Sequence, residues 1–361
     1  MSNWPTTVYA TKLVQEMATD ASEYLGALYL PMNTTTWRRG QGIRFKRFKS
    51  AYGMTKAHSL NATVKRVAPR GMDDVLLLPQ YWKEADVISE EDMLTLADFI
   101  EEMELLSETG RLFAMRALGL NQRLETRLEW DRWMALRNGY KSGVTVDGKV
   151  IKIDYGIEDP TDAVADWSDL ASAKPMTDIM AALQRLHGSG AKWADVVIPL
   201  AAATYLIDNA SILDRVGGTN FIGDIGLGNI GGLIRRLIQG DSAVAGLPSI
   251  RNITVYGGVY TYDAGAKQPF LDPSIVHVLG GRTGPQPNAV VPQEEMLGEW
   301  ASTSHVQKSG LRGQTIALET GKFLKVVDAT DEDEEVRLTS GVYGAPVIYH
   351  PEWVENIETD I

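Results

Sequence analysis

Residues 109–138, TGRLFAMRALGLNQRLETRLEWDRWMALRN, read as one long helix, and the rest of the chain is arranged around it. Leu112, Met115, Leu118 with Gly119, Gln122, Thr126, Trp130 and Trp133 recur at three- and four-residue steps, and Leu120, Leu124, Leu128 and Met134 run alongside. That spacing makes a broad apolar stripe on a helix of period 3.6. Arg116, Arg123, Glu125, Arg127, Glu129, Asp131 and Arg132 fall mostly on the other side, where alternating sign predicts a solvated or partner-facing surface. Asn138-Gly139 supplies a left-handed stop. At ~1.5 Å per residue the predicted rod spans roughly 45 Å, long enough to need other elements laid across it.

The chain has 361 residues and is 44% hydrophobic, enough for a sizeable core and more than one folded unit. A net charge of −12 argues against binding nucleic acid through an overall basic surface. With no cysteine, disulfides, thiolate catalysis and Cys-ligated metals are excluded. No secretory segment and no apolar run near 18 residues is visible, so a soluble intracellular protein with no membrane partner is expected.

The charge is segregated. Residues 38–70 hold ten Lys or Arg and no acid, whereas residues 71–108 hold twelve acids against Lys83 alone. Such blocks can face each other within one chain or between copies.

In chain order, Thr7–Leu28 is a short amphipathic helix candidate ended by Pro31. Ile43–Phe48, Ala62–Val67 and Val75–Leu78 read as strands of a long two-stranded excursion, with too few apolar residues to stand alone in water. Ser89-Glu90-Glu91-Asp92 opens a helix over Glu90–Leu106, with Ser89 as N-cap and Asp92 at the reciprocal position. A hairpin over Val144–Asp154 follows the long helix. From Pro175 helix and strand alternate: helices over Thr177–Leu186, Leu200–Asn209 and Ile230–Gln239, and strands over Ala194–Ile198, Ile253–Tyr262 and Ile275–Leu279. Residues 301–361 return to strands at Gln314–Leu318, Phe323–Val327, Glu335–Leu338 and Ala345–Tyr349. The pattern is α+β, one discontinuous domain carrying a continuous insertion.

No catalytic constellation emerges. Gly226, Gly228 and Gly231 match G-x-G-x-x-G, but no hydrophobic strand leads into them, and a flexible glycine-rich loop accounts for them better. The five histidines are scattered without ligand spacing, and no metal or cofactor is expected.

An ordered set of segments resembles the major capsid proteins of tailed phages, specifically the lambda-type capsid protein E family. It comprises Val67–Gly71 with Leu78–Lys83; Arg123-Leu124-Glu125, Trp130–Leu136 and Ile151–Gly156; Trp193–Asn209, Val259–Gly265 and Val276–Gly280; and the ending Gly344–Glu352. The resemblance implies the Hong Kong 97-like capsid fold and a structural, non-enzymatic role: self-assembly into the icosahedral head shell of a virion. It further implies an N-terminal arm at residues 1–34 and an extended E-loop at 35–80. The P domain with the spine helix would be 81–175 and 301–361, and the A domain 176–300. Partners by the same resemblance are other copies in pentamers and hexamers, a separate scaffolding protein, a portal and a decoration protein, with DNA enclosed but not read by sequence.

In that family the E-loop lies across a neighbouring subunit's P domain. The charge blocks then predict that the basic set Arg44, Lys46, Arg47, Lys49, Lys65 and Arg66 docks on the acidic set Glu90, Glu91, Asp92, Glu101, Glu102, Glu104 and Glu108 of the next subunit. Gly223, Gly226, Gly228 and Gly231 would lie in a loop at the capsomer centre. Two rivals remain: an encapsulin-type compartment shell of the same fold, and a nucleotide-dependent enzyme using Gly226–Gly231.

Overall fold

The computed structural model describes residue 10 and residues 23–38, 42–48, 72–89, 91–92, 102–138, 140–144, 150–217, 225–240, 247–261, 265–282, 295–303, 305–308, 316–319, 321–328 and 336–361. The predicted strand over Ala62–Val67 lies outside these residues, as does most of the predicted helix over Thr7–Leu28, of whose end Gly26–Tyr29 forms a one-turn helix, α1.

The long helix is α2, Glu102–Asn138, which begins seven residues earlier than its apolar stripe suggests and measures about 55 Å. Its register differs from expectation in one respect. Glu125, Glu129, Asp131 and Arg132 are buried, whereas Met115 and Leu118 on the apolar stripe are exposed. The reason is that α2 is covered along its C-terminal half on several sides, by the segment around α1 and by strands of two sheets, so alternation of sign along it does not mark a solvent face. The buried charges are partnered instead: Lys322 Nζ lies 2.5 Å from Glu125 Oε1, and Arg132 Nη1 lies 3.5 Å from Glu129 Oε2.

Two five-stranded sheets flank this helix. The first joins β1 (Met32–Arg38), β4 (Gln80–Ile88), β13 (Gly298–Thr303), β16 (Phe323–Asp328) and β17 (Val336–Ile348). β17 is its organiser, antiparallel to β4 from Val336↔Ile88 to Gly344↔Gln80, to β16, and through its far end to β13. Its sequence reads as two short strands because glycines interrupt it. Gly341 is there for close approach: a Cβ would strike the Trp82 carbonyl and the Phe323 ring.

The second sheet runs β7 (Thr161–Asp162), β18 (Val354–Glu358), β12 (Ile275–Gly281), β8 (Trp193–Pro199) and β9 (Ser249–Tyr256). β8 and β12 are buried on both faces, which is why they read as unbroken apolar runs. Helices α3 (Pro175–Arg185), α4 (Leu200–Ile207), α5 (Ala210–Gly217) and α6 (Ile230–Gln239) accompany this sheet, and Ile179, Leu183, Leu206, Ile212, Ile230 and Ile234 share its core. Pro175 starts α3 at the one helical position that needs no amide hydrogen. The remaining strands pair as hairpins: β2 (Ile43–Phe48) with β3 (Met72–Leu77), β5 (Tyr140–Val144) with β6 (Val150–Asp154), β10 (Val259–Thr261) with β11 (Lys267–Pro269), and β14 (His305–Lys308) with β15 (Ile316–Glu319).

Candidate functional site: the outer face of the long helix and the base of the β2–β3 hairpin

The apolar side of the β2–β3 hairpin belongs to the body of the molecule. Ile43, Phe45, Phe48 and Leu77 alternate inward into the core that holds Trp133, Tyr155 and Tyr349. Phe48 stacks on His350, His350 stacks on Trp353, and the Phe48 amide donates to the Tyr349 carbonyl at 2.9 Å. Arg44 and Lys46 point outward and are exposed, with Lys46 opposite Asp74 across the hairpin.

Arg47 behaves differently from its basic neighbours. Its Nη2 donates to the Asp154 carbonyl at 3.3 Å, and its guanidinium occupies the space a side chain on Gly156 would fill. Of the predicted basic set, then, Arg44 and Lys46 share the outer surface, Arg47 is engaged by its own chain, and Lys49, Lys65 and Arg66 lie outside the described residues.

The acidic set is divided too. Ser89 and Asp92 form the expected reciprocal cap, Ser89 N donating to Asp92 Oδ2 at 3.1 Å and Asp92 N donating to Ser89 Oγ at 3.2 Å. Asp92 also lies 3.5 Å from Arg116. Glu91 is exposed; Glu102, Glu104 and Glu108 fall on the first turns of α2; Glu90 and Glu101 are outside the described residues.

Between β4 and the β10–β11 hairpin, the outer face of α2 floors an open groove of about 1230 Å³, lined among others by Glu84, Asp86, Met115, Gln122, Arg123 and Tyr260. Arg123 grips Glu84 with two donors, Nε at 2.6 Å and Nη2 at 3.2 Å. Arg127 lies over Trp82 at 3.9 Å and over Trp130 at 4.4 Å, tying β4 to the helix.

Sequence reasoning missed the polar contacts that seat α2. Glu129 Oε1 accepts from the Gly26 amide at 2.6 Å, Trp133 Nε1 at 2.6 Å and Tyr256 OH at 3.1 Å, while Arg132 Nε donates to the Leu30 carbonyl at 3.1 Å. A buried acid thus meets the first amide of α1 and a buried base the carbonyl after its end, the signs its dipole favours. Burial raises the Glu129 carboxyl above its ordinary range, against the opposing pull of Arg132 and the three donors. At the C-terminal end of α2, Asn356 Nδ2 donates to the carbonyls of Leu136 and Arg137, and Asn356 Oδ1 meets His277 Nδ1 at 2.7 Å. His277 therefore carries its proton on Nδ1, and burial lowers its pKa to about 4. No periodicity in the sequence pairs residues so far apart.

Packing explains the last glycine of the motif, while Gly226 and Gly228 have open space around them. Gly231 lies in α6, where a Cβ would collide with the Ile253 carbonyl of β9, and Asn229 Oδ1 accepts from the Gly226 amide at 2.8 Å. Among the described residues no strand leads into the motif, the last element before it being helix α5. Gly223 lies outside the described residues. Among the described residues, no three His, Cys, Asp or Glu are grouped to hold a metal, and no helix is long and apolar enough to cross a membrane.

A family model described as phage major capsid protein E matches residues 12–303. Among solved structures, the fold is similar to a putative capsid protein of a prophage from E. coli CFT073 (TM-score 0.60, 13% identity, 98% of this chain and 99% of that one). It is similar also to a phage-related protein from Bordetella bronchiseptica RB50 (TM-score 0.56, 12% identity, 98% and 97%) and to the capsid of cyanophage P-SCSP1u (TM-score 0.50, 8% identity, 95% and 89%). No curated protein matches significantly.

Proposed function

The chain belongs to the phage major capsid protein E family, and from that premise we propose how its parts serve the shell. Its role is structural: it assembles with copies of itself into the capsid of a tailed-phage virion, on a Hong Kong 97-like fold. The observation that carries this is the family match over residues 12–303 together with a fold shared along nearly the whole chain.

In our reading, residues 1–34 are the N-terminal arm, 35–80 the E-loop, 81–175 with 301–361 the P domain, and 176–300 the A domain. The last strand, β18, crosses back into the sheet of the A domain. The interfaces carry the function, and no catalytic activity is assigned to the chain. The E-loop of one subunit lies across the P domain of the next. Arg44 and Lys46, with Lys49, Lys65 and Arg66, face Glu90, Glu91, Glu101, Glu102, Glu104 and Glu108 of that neighbour. Arg47 and Asp92 leave the pairing because their own contacts turn them aside, Arg47 to the Asp154 carbonyl and Asp92 into the Ser89 cap. Exposed ion pairs of this kind contribute ~0–1 kcal/mol each, so they set register and partner choice and act through repetition around a closed shell. Around Gly223–Gly231, exposed Leu213 and Leu227 support a contact at the capsomer centre. A scaffolding protein, a portal and a decoration protein complete the expected partners, and DNA is enclosed without sequence-specific contact.

The test is negative-stain microscopy with light scattering on the purified full chain, alone and with its scaffold. Closed shells, hexameric sheets or tubes support the reading; a chain that stays small in both conditions refutes it. The double variant Arg44→Glu with Lys46→Glu should then abolish shells, and unchanged assembly would refute the charge pairing alone.

A further inference from the structure

Three observations at the base of the β2–β3 hairpin converge on one residue. Arg47 is half-buried whereas Arg44 and Lys46 before it in the strand are exposed, and its guanidinium is turned under the hairpin to the Asp154–Gly156 corner. That corner is shaped to receive it. Gly156 has φ +70°, a conformation side chains disfavour, and its amide is held by Asp154 Oδ1 at 2.7 Å, which fixes the turn and aims the Asp154 carbonyl at Arg47. One residue on, Phe48 is fastened by the Tyr349 carbonyl and by the stack on His350 and Trp353. β2 therefore ends on two consecutive anchored residues, one gripped by its side chain and one by its backbone and ring.

We propose that Arg47, seated in the Gly156 corner, is a positioning residue that fixes how the β2–β3 base of the E-loop sits on the body, and so helps set shell curvature. The proposal rests on reading this hairpin as the base of the E-loop. A cation drawn from the basic block serves here as a spacer: planar, charged at all accessible pH values and able to fill a gap only a glycine leaves. Lys46, opposite Asp74 on the outer surface, serves the neighbour instead.

The experiment compares shells of the full chain, assembled with scaffold, in four variants by electron microscopy. Arg47→Ala empties the corner, and Gly156→Ala evicts the guanidinium. Both should replace uniform shells with particles of mixed diameter and open tubes. The double variant should be no worse than either single one, because the two changes remove the same contact. Gly188→Ala is the control: it carries the same backbone penalty at φ +87° but meets nothing within 4 Å, so its shells should keep wild-type diameter. Wild-type diameters in Arg47→Ala, or equal disruption by Gly188→Ala and Gly156→Ala, would overturn the proposal. Should Arg47→Ala fail to fold, the comparison of the two glycine variants decides it. If the wild-type chain itself formed no shells, the capsid reading would have failed, not the anchor.

Discussion

Acidification should loosen the seat of the long helix through His277. The ring is wholly buried, beside Trp133 at 5.3 Å, and its Nδ1–H is committed to the asparagine that caps α2. The charged groups facing it are Arg137 and Asp272, an ion pair whose effects on the ring oppose each other, so loss of solvation dominates and holds the pKa at about 4. An unfolded histidine titrates near 6.5. The folded state thus binds this proton less well than the unfolded one. The stability it contributes is complete above pH ~6.5 and is lost as pH falls toward 4. Two and a half units at ~1.4 kcal/mol each give a full loss of about 3 kcal/mol, of which about 2 kcal/mol falls between pH 7 and 5. Urea unfolding of the unassembled chain at half-unit intervals measures this directly. His277→Gln, which cannot gain the charge, should unfold more easily than wild type at pH 7 and show a smaller decline on acidification. Identical pH profiles for the two proteins between 4 and 6.5 would refute the reasoning.

The buried pair should respond asymmetrically. Lys322→Met alone leaves Glu125 buried without its ion-pair partner, and costs about 3–5 kcal/mol in urea unfolding, whereas Lys322→Met with Glu125→Leu recovers most of that loss. In α6 two adjacent glycines should diverge. Gly231→Ala forces helix and strand apart and costs ~1–3 kcal/mol, while Gly232→Ala, with open space around it, stabilises by up to ~1 kcal/mol; thermal unfolding of the two variants separates them.

What was legible in the sequence was whatever a local pattern encodes. The spacing of Leu120, Leu124 and Leu128 marks α2, the alternation of Ile43 and Phe45 with Arg44 and Lys46 marks β2, and Ser89 with Asp92 marks a cap that forms as expected. The segregation of charge also pointed to a surface, since Arg44 and Lys46 are exposed. Illegible were the residues whose state depends on distant partners. Glu129 and Arg132 look solvated on a helical wheel and are buried because residues 23–30 lie over them. Alternation places Arg47 on the inward face with Ile43 and Phe45, but the sequence does not show that Gly156 leaves the space that receives it. Gly341 and Gly344 resemble a turn because a sequence cannot show how closely a neighbouring strand passes.

The pairing of β17 with β4, and of β13 with β1, has a consequence for synthesis. The organising strand of the first sheet is supplied by residues 336–348, more than two hundred residues after its partner at 80–88. While it is being translated, the chain cannot complete that sheet until nearly all of it has emerged. A polypeptide interrupted before Val336 would keep the helix and the charged hairpin sequence but lack the strand against which they are set. Strand order thus postpones closure of the first sheet until almost the whole chain has been made.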